Sequence, residues 1–559
     1  MIILKWFASS MKFVKVLVNA LISGFFFSGL LSLLFADLNI NQKVTLSFLG
    51  GLALHLAPFY GFLAALLCIL GFFIIQFFSG RKVRVAFVSP PFLVLSISLL
   101  TLLFLLISRL NYGYFLSFFD IRHRSFLQAQ MLILFSLALL GLAAFFGFHR
   151  YKKRPLFFWA FFALLVPGLV FAFSQRWRYP LPQPGPKLPP LLGKKPEKKI
   201  TIIGLEGLSF DFLIPLISEG KLPNFSWLMD NGSSGRLINF SPNEPVTLNA
   251  SFDSGKFPAK HRQLSISRYR LGKMKEEMEV VPRFILFKQL VRIGFLKIAS
   301  FRPASQAKDI WQIFEGNRIS YVKKDWPYAM ENPKPSQKAE KHLGNLFDNP
   351  ALARDDYFLL AQNAFFRDYA YEELAADEKN RLQPQIFYLL LNGLDTVQTY
   401  FYKYSFPQQF GNIDQESLDR YGSVIKKYFA FYDELVGKYL TGLKEDELLV
   451  VFSPHGTEPL PLWKRFVERL LGNPNVSAYH EFAPDGVIFF YGKGIVRGQN
   501  VEAMRIVDVA PTLLYYLGLP VGRDMDGIVR SPLFVKEFIA ENPIIYISSY
   551  EEMQILRPK

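Results

Sequence analysis

The chain has 559 residues, enough for two or three domains; 51% are hydrophobic, 58 of them Phe, and the formal charge is +17. Residues 1–175 hold only two acids, Asp37 and Asp120, against fourteen Lys and Arg, so this third supplies +12 of that charge. The basic balance is therefore a membrane-flank signal that needs no nucleic acid to explain it, and the single cysteine, Cys68, excludes an intramolecular disulfide and any CxxC motif.

Five uncharged apolar runs, roughly 16–36, 44–78, 85–108, 125–148 and 156–174, are long enough for a bilayer crossing, which takes about 20 helical residues. The second contains Pro58 and reads either as one kinked span or as two short ones. Counted as one pass, the loops place ten Lys and Arg (Lys5 to Lys15, Arg81 to Arg84, Arg150 to Arg154) on one side and four (Lys43, Arg109, Arg122, Arg124) on the other. Positive loops stay in the cytoplasm, so the expected topology is an internal N-terminus, with everything after residue 175 outside the cytoplasmic (inner) membrane. The first run is not a cleavable signal, because further spans follow it. His55 and His123 lie in this third and are expected to be satisfied packing residues.

Tyr179 to Lys199, "YPLPQPGPKLPPLLGKKPEKK", has seven prolines and no hydrophobic period, which predicts an extended spacer. Beyond it, "KKITIIGLEG", "PQIFYLLLNGLD", "ELLVVFSPHG" and "DGVIFFYGKG" each run a short apolar stretch into a polar turn. Helical patterns such as "ESLDRYGSVIKKYFAFYDELVGKYL" alternate with them, which predicts a mainly parallel sheet covered on both faces. The expected organisation is thus a transmembrane domain over 1–178, a linker over 179–199, and an α/β doubly wound domain over 200–545 with a cap or insertion at about 265–375.

The strand ends carry the chemistry. The first stops at Glu206, the next at Asp395, the third at His455, and His480 precedes the fourth. Two carboxylates and two imidazoles converging over one sheet edge form the ligand mix of a Zn2+ or Mn2+ site, although acids and histidines also cap strand ends for solubility. "FDSGKFPAKH" lacks P-loop spacing, so its Gly-Lys is not a phosphate cradle and His261 reads as structural; "DMDG", Asp524 to Gly527, reads as turn chemistry.

Six stretches in order, "IIGLEGLSFDFLIPLISEGKLPNFSWLMDNGSSGRL", "SFDSGKFPAKH", "GLDTVQTYFYKY", "VVFSPHG", "HEFAPDGVIFFYGKGI" and "VDVAPTLLYYLGLPVGRDMDG", resemble the type I phosphodiesterase and nucleotide pyrophosphatase branch of the alkaline phosphatase superfamily over about 200–530. The resemblance implies a doubly wound α/β fold, two metal ions, usually zinc, and a Thr or Ser nucleophile at a helix N-terminus that forms a covalent phosphoryl intermediate. Carried over by position, the family's first aspartate falls on Glu206, its D-x-x-Q-H on Asp395 to Thr399, and its SDHG on Ser453 to Gly456, with Pro454 in place of the aspartate; its last histidine falls on His480. The nucleophile position falls on Pro245, with Thr247 two residues on and Ser241 four before. On this mapping one metal site keeps Asp395 and His480 and the other keeps Glu206 and His455. Either hydroxyl, Thr247 or Ser241, could take the nucleophile's role only if the backbone there differs from the family's, and Thr247 is the candidate nucleophile carried forward.

Two functions follow from the resemblance. One is a binding or scaffolding pseudoenzyme of the cell envelope whose cleft holds a phosphorylated glycan, a phospholipid or another envelope protein. The other is an active metal-dependent phosphodiesterase or phosphoryl or phosphoethanolamine transferase on envelope glycans or lipids.

Overall fold

In the computed structural model the described residues are 2–79, 90–150, 156–177, 197–265, 267–283, 287–301, 307–325, 334–349, 352, 355–411, 413–470 and 472–551. The basic stretches 81–84 and 152–154 and most of the proline-rich linker lie outside them. The chain divides into two compact units, one made of 1–183 and 264–304, the other of 184–263 and 305–559.

The first unit is helical. Four helices are long and apolar enough to cross a membrane, over Val16–Leu38, Leu46–Gly71, Phe92–Tyr114 and Ile121–Gly147. The run with two readings, 44–78, is helical from Leu46 onward, with a π-helical turn at Ala57–Gly61 that takes in Pro58. A π turn of this kind absorbs the backbone bond that proline cannot make. The fifth run forms the helix Leu156–Trp177, whose apolar part, Phe158–Ser174, is shorter than those of the other four. Its polar end turns inward: the Arg176 guanidinium donates to the carbonyls of Ala36, Asn39 and Gln42 at 2.8 to 3.0 Å. The five crossings expected from the sequence are therefore four full-length apolar helices and one shorter helix among the described residues.

Large apolar side chains such as Phe73, Phe77, Leu132 and Phe146 point outward from this unit, while Ser23 and Ser96 hydrogen-bond at 2.8 Å inside it. An exterior more apolar than parts of the interior suits lipid. Gly24 and Gly61 face each other where two helices cross; a Cβ on Gly24 would stand 2.1 Å from the Gly61 carbonyl oxygen. The segment expected to open the cap belongs here as a hairpin, Ser267–Leu271 antiparallel to Leu296–Phe301. Side-chain amides hold it: Asn39 donates to Val280 O at 2.7 Å and accepts from the N–H groups of Glu279 and Val280, and Asn111 pairs in the same way with the backbone of Arg283.

The second unit is built on a seven-stranded sheet. Across it the strands run Gln499–Arg505, Ser233–Ile238, Asp485–Gly492, Glu447–His455, Lys199–Leu205, Ile386–Leu391 and Tyr321–Asp325. All pairings are parallel except those of Asp485–Gly492, which is antiparallel to both neighbours. The central strands are buried along almost their whole length, as uninterrupted Ile, Leu, Val and Phe runs require when helices cover both faces. One face packs on helices that include Leu359–Leu382 and Val424–Thr441 and the other on Pro245–Ser254, Ile310–Gly316 and Val509–Tyr516. The described residues of the rest of the expected cap, from 307 to 375, thus supply an edge strand and three helices that pack over this sheet.

Register sets the functional edge. Leu205 lies level with Leu391, and Gly204 with Phe452, so three parallel strands deliver their following residues to one side. The antiparallel strand enters at that same side, with Asp485 opposite His455.

Candidate metal centre

Asp395 sits in the first turn of the helix Gly393–Ser405, His455 ends the strand Glu447–His455, and His480 follows the short strand Ala478–Tyr479. One ligand atom from each lies within 4.8 Å of the others. The two imidazoles are tilted by 33° with centroids 4.8 Å apart, and His480 Nδ1 stands 3.3 Å from Asp395 Oδ2. His455 Nδ1 bonds the Gly456 carbonyl at 3.0 Å, which fixes that nitrogen as the protonated one and leaves Nε2 as the lone-pair donor. Nε2 of His455 and Oδ1 of Asp395 are buried and make no hydrogen bond. Buried polar atoms are rarely left in that state, so these residues fit a divalent ion: two imidazoles and a carboxylate are the donor set of three-ligand catalytic zinc sites.

The protonation of the three side chains follows from burial and from their charges on one another. Burial pushes the His455 imidazole down to about 4, and the nearby His480 pushes the same way. For His480 burial also favours the neutral form, but the carboxylate of Asp395, with those of Glu244 and Glu206 behind it, carries the group up to about 9. Burial raises Asp395 in turn, and the two imidazoles more than offset it, so its carboxyl lies below the usual range. At neutral pH the cluster is an imidazolium, a carboxylate and a neutral imidazole.

Neighbouring segments position the three. The Ser453 hydroxyl accepts from the N–H groups of Gly207 and Leu208 and donates to the His455 carbonyl, lacing the first strand's turn to the third strand's end. Gly207 has φ +95°, and a Cβ there would stand 2.6 Å from Gln398 Oε1 and 3.0 Å from Asp395 N; only glycine lets the turn approach the Asp395 helix so closely. That helix is anchored by Asp368, a fully buried residue that sequence reasoning missed. Its carboxylate accepts from Tyr428 and Tyr432 hydroxyls at 2.8 Å and from Gly393 N at 3.1 Å. Burial lifts its carboxyl to about 6 despite those donors. Asp368 is one acid among many in the helix Leu359–Leu382, and nothing local distinguishes it.

The remaining sequence candidates are not part of this three-residue group. Glu206 is buried, with its N–H bonded to the Leu391 carbonyl at 2.9 Å, and it is not part of the three-residue group. The ligand pairs expected from the mapping are therefore redistributed: His455 joins Asp395 and His480 because the antiparallel strand brings residue 480 beside the end of its neighbour. Thr399 turns its hydroxyl onto the Asp395 carbonyl of its own helix at 3.0 Å, and Pro454 offers only a carbonyl, which accepts from Asn239 at 3.1 Å. Pro245 is the first residue of the helix Pro245–Ser254, a position where its missing N–H is no loss. Thr247, in the same turn, is fully buried, and its hydroxyl makes no hydrogen bond; neither amide atom of the buried Asn249 makes one. His261 is the structural residue expected, with Ser251 Oγ at 2.9 Å, and burial pushes it down to about 3. Asp524 and Asp526 take up lysines, Lys256 at 2.5 Å and Lys260 at 2.6 Å.

No protein-family model and no curated protein matches the chain. Solved structures similar to it include a phosphonate monoester hydrolase from Silicibacter pomeroyi, with 14% identity, 60% of this chain and 76% of that one covered, and a TM-score of 0.34. Murine ectonucleotide pyrophosphatase/phosphodiesterase 5 is similar at 12% identity, with 58% and 95% covered and a TM-score of 0.33; an inactive variant of it in complex with AMP gives the same identity and TM-score.

Proposed function

We propose that this chain is a membrane-anchored member of the alkaline phosphatase superfamily, of the type I phosphodiesterase-like branch, working as a binding or scaffolding pseudoenzyme in the cell envelope. In this reading the α/β unit lies outside the cytoplasmic membrane and holds one divalent ion, zinc or a similar metal, at Asp395, His455 and His480. The ion would supply a positive centre for a phosphate ester of an envelope glycan or phospholipid. The chain's own residues orient that centre: Asp368 holds the start of the Asp395 helix, Ser453 sets the strand end at His455, and Gly456 fixes the His455 tautomer.

The observation that carries the reading is a complete three-ligand set beside a helix start with proline in place of a nucleophile. A covalent phosphoryl intermediate needs a hydroxyl at that start, and Pro245 has none. Metal analysis of the full-length protein is expected to find about one zinc per chain, with no turnover of an aryl phosphodiester. Two tightly bound metals with turnover abolished by Asp395→Ala would overturn it.

The buried, unbonded Thr247 hydroxyl favours a second reading, in which the protein is an active metal-dependent phosphodiesterase or a phosphoryl or phosphoethanolamine transferase with Thr247 as nucleophile. Turnover that disappears in Thr247→Val while the metal stays bound would establish it.

A further inference from the structure

Directly after the His455 turn, the helix Leu462–Leu470 is mounted the wrong way round for a water-soluble domain. None of its residues is buried. Leu462, Trp463, Phe466, Val467 and Leu470 recur at helical spacing on one face, and that face is exposed, Phe466 by 64% and Leu470 by 67%. The polar side is the one that holds the helix down. Lys464 pairs with Glu481 at 2.7 Å and lies 4.0 Å over the Tyr479 ring, while the Arg465 guanidinium stacks 4.4 Å over Phe410 and donates to the Gln409 carbonyl. Tyr479 and Glu481 flank His480, so the helix is clamped to the segment that supplies a metal ligand.

We propose that the helix Leu462–Leu470 lies in the interface of a lipid bilayer, its apolar face among acyl chains, and so presents lipid phosphate headgroups to the neighbouring Asp395, His455 and His480.

Three observations select a bilayer over a protein partner. The chain carries four helices long and apolar enough to cross a membrane, which makes a bilayer a surface available to it. The helix sets Trp, Phe and Leu opposite Lys464, Arg465 and Arg469, the interfacial helix pattern, and of these cations Arg469, exposed in the last turn, is the one placed to meet anionic headgroups. Nine residues span only about 14 Å, too short a face to supply by itself the roughly 800 Å² per partner of a stable protein interface. The step from docking to a lipid phosphate ester rests on the metal-centre reading above; the docking itself does not.

The test uses the full-length protein in nanodiscs containing phosphatidylglycerol. In a Cys68→Ser background a spin label is placed at Phe466→Cys or, as a control on an exposed helix position of the same unit, at Lys426→Cys. Collision with oxygen, which concentrates in lipid, and with a water-soluble nickel chelate is then compared. The label at 466 is expected to favour oxygen and the label at 426 the chelate. A label at 466 that behaves like the one at 426 overturns the proposal, and so does one shielded from both reagents, which marks a protein partner or a second copy. Asp395→Ala separates the two readings: it strips metal while leaving the oxygen preference at 466 intact. Conversely, Phe466→Asp with Leu470→Asp is expected to keep the metal; in that background the oxygen preference of a label at Leu462→Cys is expected to vanish, and its persistence would overturn the proposal.

Discussion

The segments around His455 and His480 and the segment 243–249 follow strands of one sheet to one edge, yet their polar side chains are provided for in different ways. Around the histidines one imidazole nitrogen is fixed by a carbonyl and another faces a carboxylate, while His455 Nε2 and Asp395 Oδ1, buried with no hydrogen bond, converge where a cation could sit. Along 243–249 a proline occupies the first helical position, and Thr247 and Asn249 are buried with no bonds made by their side chains. On the proposed reading the first arrangement would hold a cation, and the second, with Pro245 at its helix start, offers no hydroxyl there for attack on phosphorus.

The largest effects sharpen the first half of that comparison. His455→Ala or Asp395→Ala leaves two ligands, and zinc affinity is expected to fall at least ~100-fold, measured by competition with a chelating dye, since two donors do not make a zinc site. Glu206→Gln, outside the ligand group, is expected to change affinity by less than about tenfold. Equal losses in all three variants would mean that Glu206 is a ligand after all.

Next in size is Asp368→Ala. It strands two tyrosine hydroxyls and a backbone N–H that all converge on one buried carboxylate, so a loss of about 3–5 kcal/mol in chemical denaturation is expected. Because Gly393 starts the Asp395 helix, metal affinity is expected to fall with it even where the variant stays folded. An unchanged affinity in folded Asp368→Asn would show that the helix start is held by packing alone.

The pH dependence is smaller and has a definite sign. His480 is held protonated up to about 9 by Asp395 and the acids behind it, whereas His455, pushed down to about 4, is already neutral. Metal must displace one proton below pH 9, so affinity is expected to rise about tenfold per pH unit from 6 to 8. In the metal-free protein the raised His480 value stabilises the fold fully below its unfolded value near 6.5 and is lost as pH rises through about 9. The depressed His455 value works in the other direction, costing stability as pH falls from about 6.5 towards 4. A flat affinity profile would place the His480 proton elsewhere.

What the sequence made legible follows the same physics. Buried strands such as Ile386–Leu391 are unbroken apolar runs, and they were readable because both faces are covered. Ser233–Ile238, with Ser, Ser and Gly in its first half, carries no such signal; Gly235 is small because a Cβ there would meet the Val501 carbonyl at 2.3 Å. The hairpin at 267–301 was read with a cap because its attachment runs through Asn39 and Asn111 amides to backbone atoms some 170 to 240 residues away, which no local pattern records. At the site, the strand-end positions of Asp395, His455 and His480 were legible. Their convergence over one sheet edge was legible too, but the split into two ligand pairs does not match the grouping of His455 with Asp395 and His480, which depends on one antiparallel strand whose direction the sequence does not state.

The smallest expected effect probes the other half of the edge. Thr247 holds a hydroxyl with no bond in a fully buried position, and a buried hydroxyl that gives up water without a partner costs about 1–3 kcal/mol. Valine has nearly the same shape and no such group, so Thr247→Val is expected to leave the protein as stable as before or more stable by about 1 kcal/mol, with metal binding unchanged. A destabilisation of that size would mean that the hydroxyl has a partner in solution, such as a buried water held at the helix start. Gain of stability without loss of any activity is what a vacated nucleophile position predicts. Gain of stability with loss of turnover would be the trade expected of a working one, since active sites keep unsatisfied groups at a cost to folding.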